Sequence, residues 1–453
     1  MVGAHWDAMA FTGEGLPAGF RFGASTAAYQ IEGATTEDGR APSVWDTFCA
    51  EPGRVVDGSS GAVACDHYHR HREDVALLRE LGVDGYRFSI AWPRVQPDGS
   101  GPANEAGLDF YDRLVDDLLA AGIAPMAPLF HWDTPQALQD AHDGWLGRET
   151  ALRFGAYAEL VAARLADRVE HWCPVNEPNV LTVLGHATGD HAPGKALHLA
   201  ALPAAHHLLL GHGLAVGALR AAGARAVGTA TNHAPAWPDS DVDGDRAAAD
   251  LLDTVWNRCF ADPVLLGTYP PGFEGLLPVQ EGDLALIGQP LDFYGVNYYA
   301  PYGAASPAEG SALPFERTDI SGFPHTDFGW PVIPEGLHEL LTRLHERYPG
   351  HPPFVITENG ASYNTEPDAS GSVPDADRIA YLEGHLAQLE LAVRDGVDVA
   401  GYYCWSLLDN FEWAEGYTQR FGLAHVDYET QVRTPRESFH WYADVIAAHR
   451  SRR

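Results

Sequence analysis

Two glutamates stand where strand-like runs end. Phe354, Val355, Ile356 and Thr357 form a short apolar, β-branched run that closes on Glu358, Asn359 and Gly360, and Val169 to Val175 runs in the same way into Asn176, Glu177 and Pro178. Continuous apolar runs of this length fit strands buried on both faces. A carboxylate at the tip of a buried strand loses solvation unless donors or a cation compensate. Either glutamate alone reads as a surface loop acid. Together, distant in sequence and delivered alike, they read as a carboxylate pair.

Such a pair suits cleavage of a glycosidic bond. One carboxylic acid protonates the departing oxygen, and the second carboxylate meets an oxocarbenium-like transition state. If the second attacks directly, the two lie about 5 to 5.5 Å apart and the anomeric configuration is retained. One must keep its proton while the other stays ionised, a difference set by environment. Arg87 could hold Glu358 as an anion and Tyr299 could donate a hydrogen bond to it, both lowering its pKa. Arg87 also reads as a structural ion pair within the fold, and the two roles can coexist.

The elements that must carry these residues alternate. Strand-like runs begin at Phe20 and cover Tyr86–Ile90, Ile123–Phe130, Val169–Val175, Arg225–Thr231, Leu291–Val296, Phe354–Thr357 and Val399–Cys404. Between and after them, helical periodicity covers about His67–Leu81, Glu105–Ala121, Arg148–Asp167, Leu199–Ala222, Asp245–Cys259, Pro334–Tyr348, Asp375–Arg394 and Thr434–His449, with Gly122 and Gly223 as helix stops. Eight strand-then-helix units predict parallel strands with right-handed crossovers, closed into a single (β/α)8 barrel. The expected domain is the whole of residues 1–453, with its barrel core at about 20–450. An open doubly wound sheet lacks support, because GASTAAYQ after the first strand is no phosphate-binding GxGxxG. In a barrel the strand C-termini meet at one mouth, which gathers Gln30, Arg87, His131, Trp132, Asn176, Glu177, Asn232, Asn297, Tyr299, Glu358 and Trp405. These suit a wet pocket for a polyhydroxylated ligand.

Composition sets the remaining expectations. A net charge of −33 disfavours nucleic acid and anionic membranes as partners. The N-terminal stretch lacks an apolar core behind a basic end, and no 18-residue apolar span is expected, so the reading is a soluble chain without a signal peptide. Five scattered cysteines without a C-x-x-C pair fit reduced thiols in a cytoplasm. His67, His69 and His71 have no partners at zinc-ligand spacing and read as a solvated helix face. No metal or organic cofactor is expected. The glycosidic chemistry of the carboxylate pair points to small-molecule glycosides or oligosaccharides as the expected partners, with self-association left open.

From about Phe20 to Ala448 the chain resembles glycoside hydrolase family 1, the retaining β-glucosidase family. The stretches that carry the resemblance are GASTAAYQIEGA, PSVWDTF, YRFSIAWPR, LFHWDTPQAL, VNEP, NYY, ITENG and YYCWSLLDNFEWAEGYTQRFG. It implies Glu177 as acid/base and Glu358 as nucleophile, with Asn297 and Tyr299 supporting the nucleophile. Gln30, His131, Asn176, Glu412 and Trp413 would bind the non-reducing sugar, Trp132 would line its pocket, and Trp405 would form the floor. Trp330 and Asn232 would sit nearer the leaving group. Glu412-Trp413, where members acting on 6-phosphorylated sugars carry a serine, implies a non-phosphorylated glycone. The expected activity is exo-acting hydrolysis of terminal β-D-glycosyl residues, glucosyl first. The alternatives are transglycosylation, a galactosidase or fucosidase of the same family, or a non-catalytic sugar-binding barrel.

The chain departs from the family at two positions. Pro174 replaces a usual threonine and Asn179 replaces a tryptophan after N-E-P. The loss at 179 is expected to remove an aromatic wall beside the leaving group, favouring polar aglycones such as a second sugar over flat aryl ones.

Overall fold

The computed structural model describes residues 11–273, 275–309 and 313–452. Eight parallel strands close into a barrel: β1 (Arg21–Ser25), β2 (Gly85–Arg87), β3 (Ala124–Pro128), β4 (His171–Cys173), β5 (Ala226–Asn232), β6 (Phe293–Asn297), β7 (Phe354–Asn359) and β8 (Val399–Trp405). β1 pairs with β2 on one side and β8 on the other, so the sheet has no open edge. The principal helices between and after them are α1 (His67–Leu81), α2 (Glu105–Ala120), α3 (Arg148–Leu165), α4 (Leu202–Ala221), α5 (Asp243–Asp253), α6 (Glu335–Arg347), α7 (Ala376–Arg394) and α8 (Glu437–Arg450).

Local chemistry accounts for the helix ends. After α2, Gly122 adopts φ +77° while its amide and that of Ile123 donate to the carbonyls of Leu119 and Leu118, both at 3.0 Å. Gly223 closes α4 in the same way. This pairing satisfies carbonyls that a helix end leaves orphaned, and glycine takes the left-handed turn without a Cβ penalty.

Four expectations need correction. The final helix begins at Glu437 rather than near 434, because Arg433–Pro435 is drawn into an antiparallel pair with Ala424–Val426. The helix expected over 245–259 is regular only as far as Asp253; it widens into a π turn at Thr254–Arg258 and resumes as Cys259–Leu265. His67 and His71 are buried rather than solvated: Asp74 takes the His67 ring at 2.7 Å and is itself held by Arg433 at 2.9 Å, and His71 turns to Asp117 of α2 at 3.2 Å. His69 stays exposed between Asp66 and Glu37. Finally, His198–Ala221 is long and apolar enough to cross a membrane by length and composition, yet 72% of its apolar window is buried within the protein. It packs mainly on α3 as a core helix.

The barrel interior is filled by Met126, Cys173, Ala230, Phe293, Val355 and Tyr403, contributed by β3 through β8. A much larger apolar layer lies between the strands and the helices, with Phe22, Tyr294, Ile356 and Tyr402 from the strands facing Leu337, Leu382 and Phe439. At the mouth, β7 and β8 approach so closely that a Cβ at Gly360 would lie 1.6 Å from the Trp405 carbonyl oxygen. The obstacle is backbone, so it cannot rotate away. Gly360→Ala is expected to destabilise the fold by about 1 to 3 kcal/mol or more, read as a lowered urea midpoint at unchanged slope.

Candidate active site

Alternation along β7 turns Val355 into the barrel and Phe354 and Ile356 outward. A strict two-residue period would send Glu358 outward after Ile356. The register of β7 against β6 slips between Ile356 and Glu358, and against β8 between Ile356 and Asn359. A bulge of this kind re-aims side chains. Glu358 therefore reaches the cavity, while Asn359 binds Tyr298 O and the Tyr381 hydroxyl behind it. On the other glutamate, pairing with β5 continues past the end of β4, and the Glu177 amide donates to Ala230 O at 2.7 Å. Glu177 has φ +46°, a left-handed conformation that costs a non-glycine residue about 1 to 3 kcal/mol.

One hydrogen-bond network joins the two acids. Arg87 donates to Glu358 Oε1 at 2.7 Å and to Asn176 Oδ1. Asn297 Nδ2 donates to Asn176 Oδ1 at 3.1 Å and to Glu177 Oε1 at 2.8 Å. Thr357 donates to Asn297 Oδ1 at 2.6 Å, which fixes the orientation of that amide. Tyr299 donates to Glu358 Oε2 at 2.7 Å, and Asn232 Nδ2 donates to Glu177 Oε1 at 3.0 Å. Asn176 Oδ1 is already taken, so its Nδ2 donates to His131 Nε2 at 3.0 Å and the proton of that imidazole sits on Nδ1.

Burial pushes Glu177 up to about 8, with the neighbouring Glu358 charge adding to the rise and the Asn297 and Asn232 donors opposing it. Glu358 is also raised by burial, against the pull of Arg87 and Tyr299. The two donors expected to lower its pKa act in that direction, but desolvation outweighs them. Of the two acids, Glu358 alone has the Arg87 ion pair, so the first proton of the pair belongs on Glu177. Glu412 is likewise pushed up to about 8 by burial, then by the charge of Glu358, with Gln30 opposing. Burial, and next Arg87, hold His131 well below its usual value, so it is neutral.

The mouth opens into a cavity of about 1000 Å³, large enough for more than one sugar ring. His131, Trp132, Glu177, Asn232, Tyr299, Trp330, Glu358, Trp405, Glu412 and Trp413 line it. Arg87, Asn176 and Asn297 stand one layer behind, fully buried. Gln30 lies below Glu412, donating from Nε2 to Asn410, Phe411 O and Glu412, while its Oε1 is a buried acceptor without a protein partner among the described residues. Trp413 packs on Trp132 at 4.7 Å and on His131 at 5.8 Å, and Trp405 groups with Ala27 and Phe421. The wall therefore alternates flat apolar rings with hydroxyl-binding groups, a surface matched to a sugar.

Asn179 does not stand on that wall. It is fully buried, and its amide donates to Asn232 O at 2.8 Å and Trp256 O at 3.2 Å. The expectation that residue 179 faces the leaving group is corrected: the two carbonyls draw its short polar side chain inward. The aromatic surface on this side comes from Trp256, which the sequence reading missed together with Phe421, Tyr302 and Arg317. Trp256 sits in the π turn, where no periodicity marks it, and the other three lie in mouth loops or the small sheet of Ala236–Pro238, Tyr302–Ala305 and Glu316–Thr318.

A family model described as Glycosyl hydrolase family 1 matches residues 12–451. A β-glucosidase of an Agrobacterium species is 47% identical, covering 95% of this chain and 95% of its own. A bifunctional β-D-glucosidase/β-D-fucosidase of Bifidobacterium breve is 44% identical over 96% of this chain and 99% of its own. Among solved structures, a psychrophilic β-glucosidase from Micrococcus antarcticus superposes with a TM-score of 0.92 at 46% identity, covering 96% of this chain and 98% of that one.

The raised acids also bear on stability. Unfolded, Glu177 and Glu412 ionise near 4.5; folded, near 8. Between these values the native state holds more protons, so their contribution to stability is complete below about pH 4.5 and is lost as pH rises toward 8. Glu177→Gln is expected to raise unfolding free energy at pH 8 by at least about 1 kcal/mol, and to gain little at pH 4.5. Urea unfolding at the two pH values measures the difference.

Proposed function

The chain belongs to glycosyl hydrolase family 1, and on that premise we propose that it is a β-glucosidase that removes terminal β-D-glycosyl residues with retention, with Glu358 as nucleophile and Glu177 as acid/base. The observation that carries the residue roles is the asymmetry of the pair. The Arg87 ion pair and the Tyr299 hydroxyl favour the anion at Glu358, while burial keeps a proton on Glu177. Glu358 attacks the anomeric carbon as the bond to the leaving oxygen breaks and Glu177 delivers its proton there. Water then gives a proton back to Glu177 as it attacks the glycosyl ester, and the Glu358 carboxylate departs. The asymmetry thus favours the protonated form at Glu177 and the anion at Glu358, the states the first step needs.

His131 and Glu412 supply the hydroxyl-binding edge of the glycone site, Gln30 orients Glu412 from behind, and Trp405, Trp413 and Trp132 line the same site. The Glu412 carboxyl can hydrogen-bond sugar hydroxyls but offers no cation to pair with a phosphate, which supports a non-phosphorylated glycone. The Bifidobacterium relative acts on both glucosides and fucosides by its name, and a fucosidase activity here is the second reading. Five unpaired cysteines support a reducing compartment such as the cytoplasm.

A panel of p-nitrophenyl glycosides and cellobiose tests the reading, glucosides being the best substrates and 6-phosphoglucosides poor ones. Glu358→Gln is expected to stay folded and lose roughly 10⁴-fold or more in kcat/KM. Glu177→Ala should lose roughly 10²- to 10⁴-fold on cellobiose, much less on dinitrophenyl glucoside, and regain rate with azide. Ordinary turnover by the Gln variant, or equal losses on good and poor leaving groups, would defeat the respective assignment.

A further inference from the structure

Two hydrogen bonds on the leaving-group side run from Trp256 through Asn232 to one oxygen of Glu177. The Trp256 indole donates to Asn232 Oδ1 at 3.1 Å, and Asn232 Nδ2 donates to Glu177 Oε1 at 3.0 Å. An indole nitrogen donates and never accepts. With Oδ1 committed to it, the Asn232 amide has only its NH2 to offer the acid. Both backbones are pinned: Asn179 Nδ2 binds the carbonyls of Asn232 and Trp256, and Asn257 binds Ala234 O at 2.8 Å while its own carbonyl accepts from the Ala234 amide. The π turn is thus stitched to the end of β5.

We infer that Trp256, anchored by Asn179, is a positioning residue: its indole locks the Asn232 amide so that Asn232 donates to, and never accepts from, the carboxyl of Glu177. The inference rests on Glu177 being the acid/base of the reaction. Donation stabilises the ionised form, so the lock restrains the rise that burial imposes on Glu177. Without it the amide can turn over and accept the proton of the neutral acid, favouring the protonated state. The other groups whose charge reaches Glu177 are Glu358 from β7, Glu412 from the loop after β8, Arg87 from β2, and the hydroxyls of Tyr299 and Tyr302. None of them bonds the Asn232 amide. The wall and the lock also share a residue: Trp256 lines the cavity, packed edge-on to Tyr302 at 5.1 Å, so one indole both faces the aglycone and orients the donor to the acid.

The test is the pH profile of kcat/KM on cellobiose, whose basic limb reports loss of the proton from the acid. Trp256→Phe is expected to move that limb up by roughly 0.5 to 1 unit, the worth of about one neutral hydrogen bond, and to leave the acid limb in place. Asn232→Ala should move it the same way, and adding Trp256→Phe to that variant should move it no further. An unmoved limb in Trp256→Phe, or shifts that add in the double variant, would overturn the inference, since loss of an aromatic wall alone changes KM and rate without moving the limb. If Trp256→Phe does not fold, Asn179→Ala provides the same readout, with an upward shift expected and no shift overturning it. Glu177→Ala separates the two levels of argument. Its basic limb should vanish; a limb that persists there overturns the acid/base assignment, whereas a limb that vanishes there but stays fixed in the Trp256 variant overturns the lock alone.

Discussion

The buried contact between Arg87 and Glu358 is what the site depends on. Removing one partner of such a pair strands an uncompensated charge, which commonly costs about 3 to 5 kcal/mol. Arg87 is fully buried on β2, and its guanidinium reaches Glu358 from β7 and Asn176 from the loop after β4 at once. A planar fork of donors is the side chain that can serve two strand ends in fixed directions. Through Asn176 it also sets the tautomer of His131, and through Asn297 it is coupled to Glu177. The same cation that favours the anion at Glu358 therefore aligns the groups around both acids.

That arrangement sets function against stability. Three carboxyl groups, Glu177, Glu358 and Glu412, face one cavity, and burial raises all three. Arg87 forms an ion pair with Glu358 and with neither of the others. A core built for stability would not place acids so; a glycoside cleft needs one neutral and one charged carboxyl side by side, and the fold accommodates the strain elsewhere. The closed barrel and the broad apolar layer outside it carry the stability. The mouth carries the left-handed backbone of Trp132, Glu177 and Trp413, all three of which line the cavity.

At position 179 the structure gives a family departure a local physical explanation. Tryptophan is expected there by resemblance, and asparagine stands in its place. Its amide turns inward to clasp two carbonyls, and the aromatic surface is provided from a different segment, by Trp256 in the π turn. Reading the substitution as a missing wall considered one position at a time. Only the packing of β5 against the turn at 254–258 shows where that side chain goes and which ring lines the cavity.

The alternation of apolar runs with helical periodicity was enough to determine eight parallel strand-helix units and the closure of a barrel, because each element's period reports the face it must bury. Motif residues at strand ends likewise marked Glu177, Glu358, Arg87, His131 and Trp405, since a polar group at the tip of a buried run is costly unless it has a partner. Tertiary structure decided the rest. The inward aim of Glu358 depends on a bulge in β7 that a two-residue period would have reversed. The burial of His67 depends on Asp74, itself held by Arg433 from the far end of the chain, that of His71 on packing against Asp117 of α2, and the role of Trp256 on hydrogen bonds to β5. Periodicity is a property of neighbours along the chain; these three outcomes also need contacts with other elements, from Trp256 on Asn232, 24 positions away, to Arg433 on Asp74, 359 positions away, which local order cannot encode.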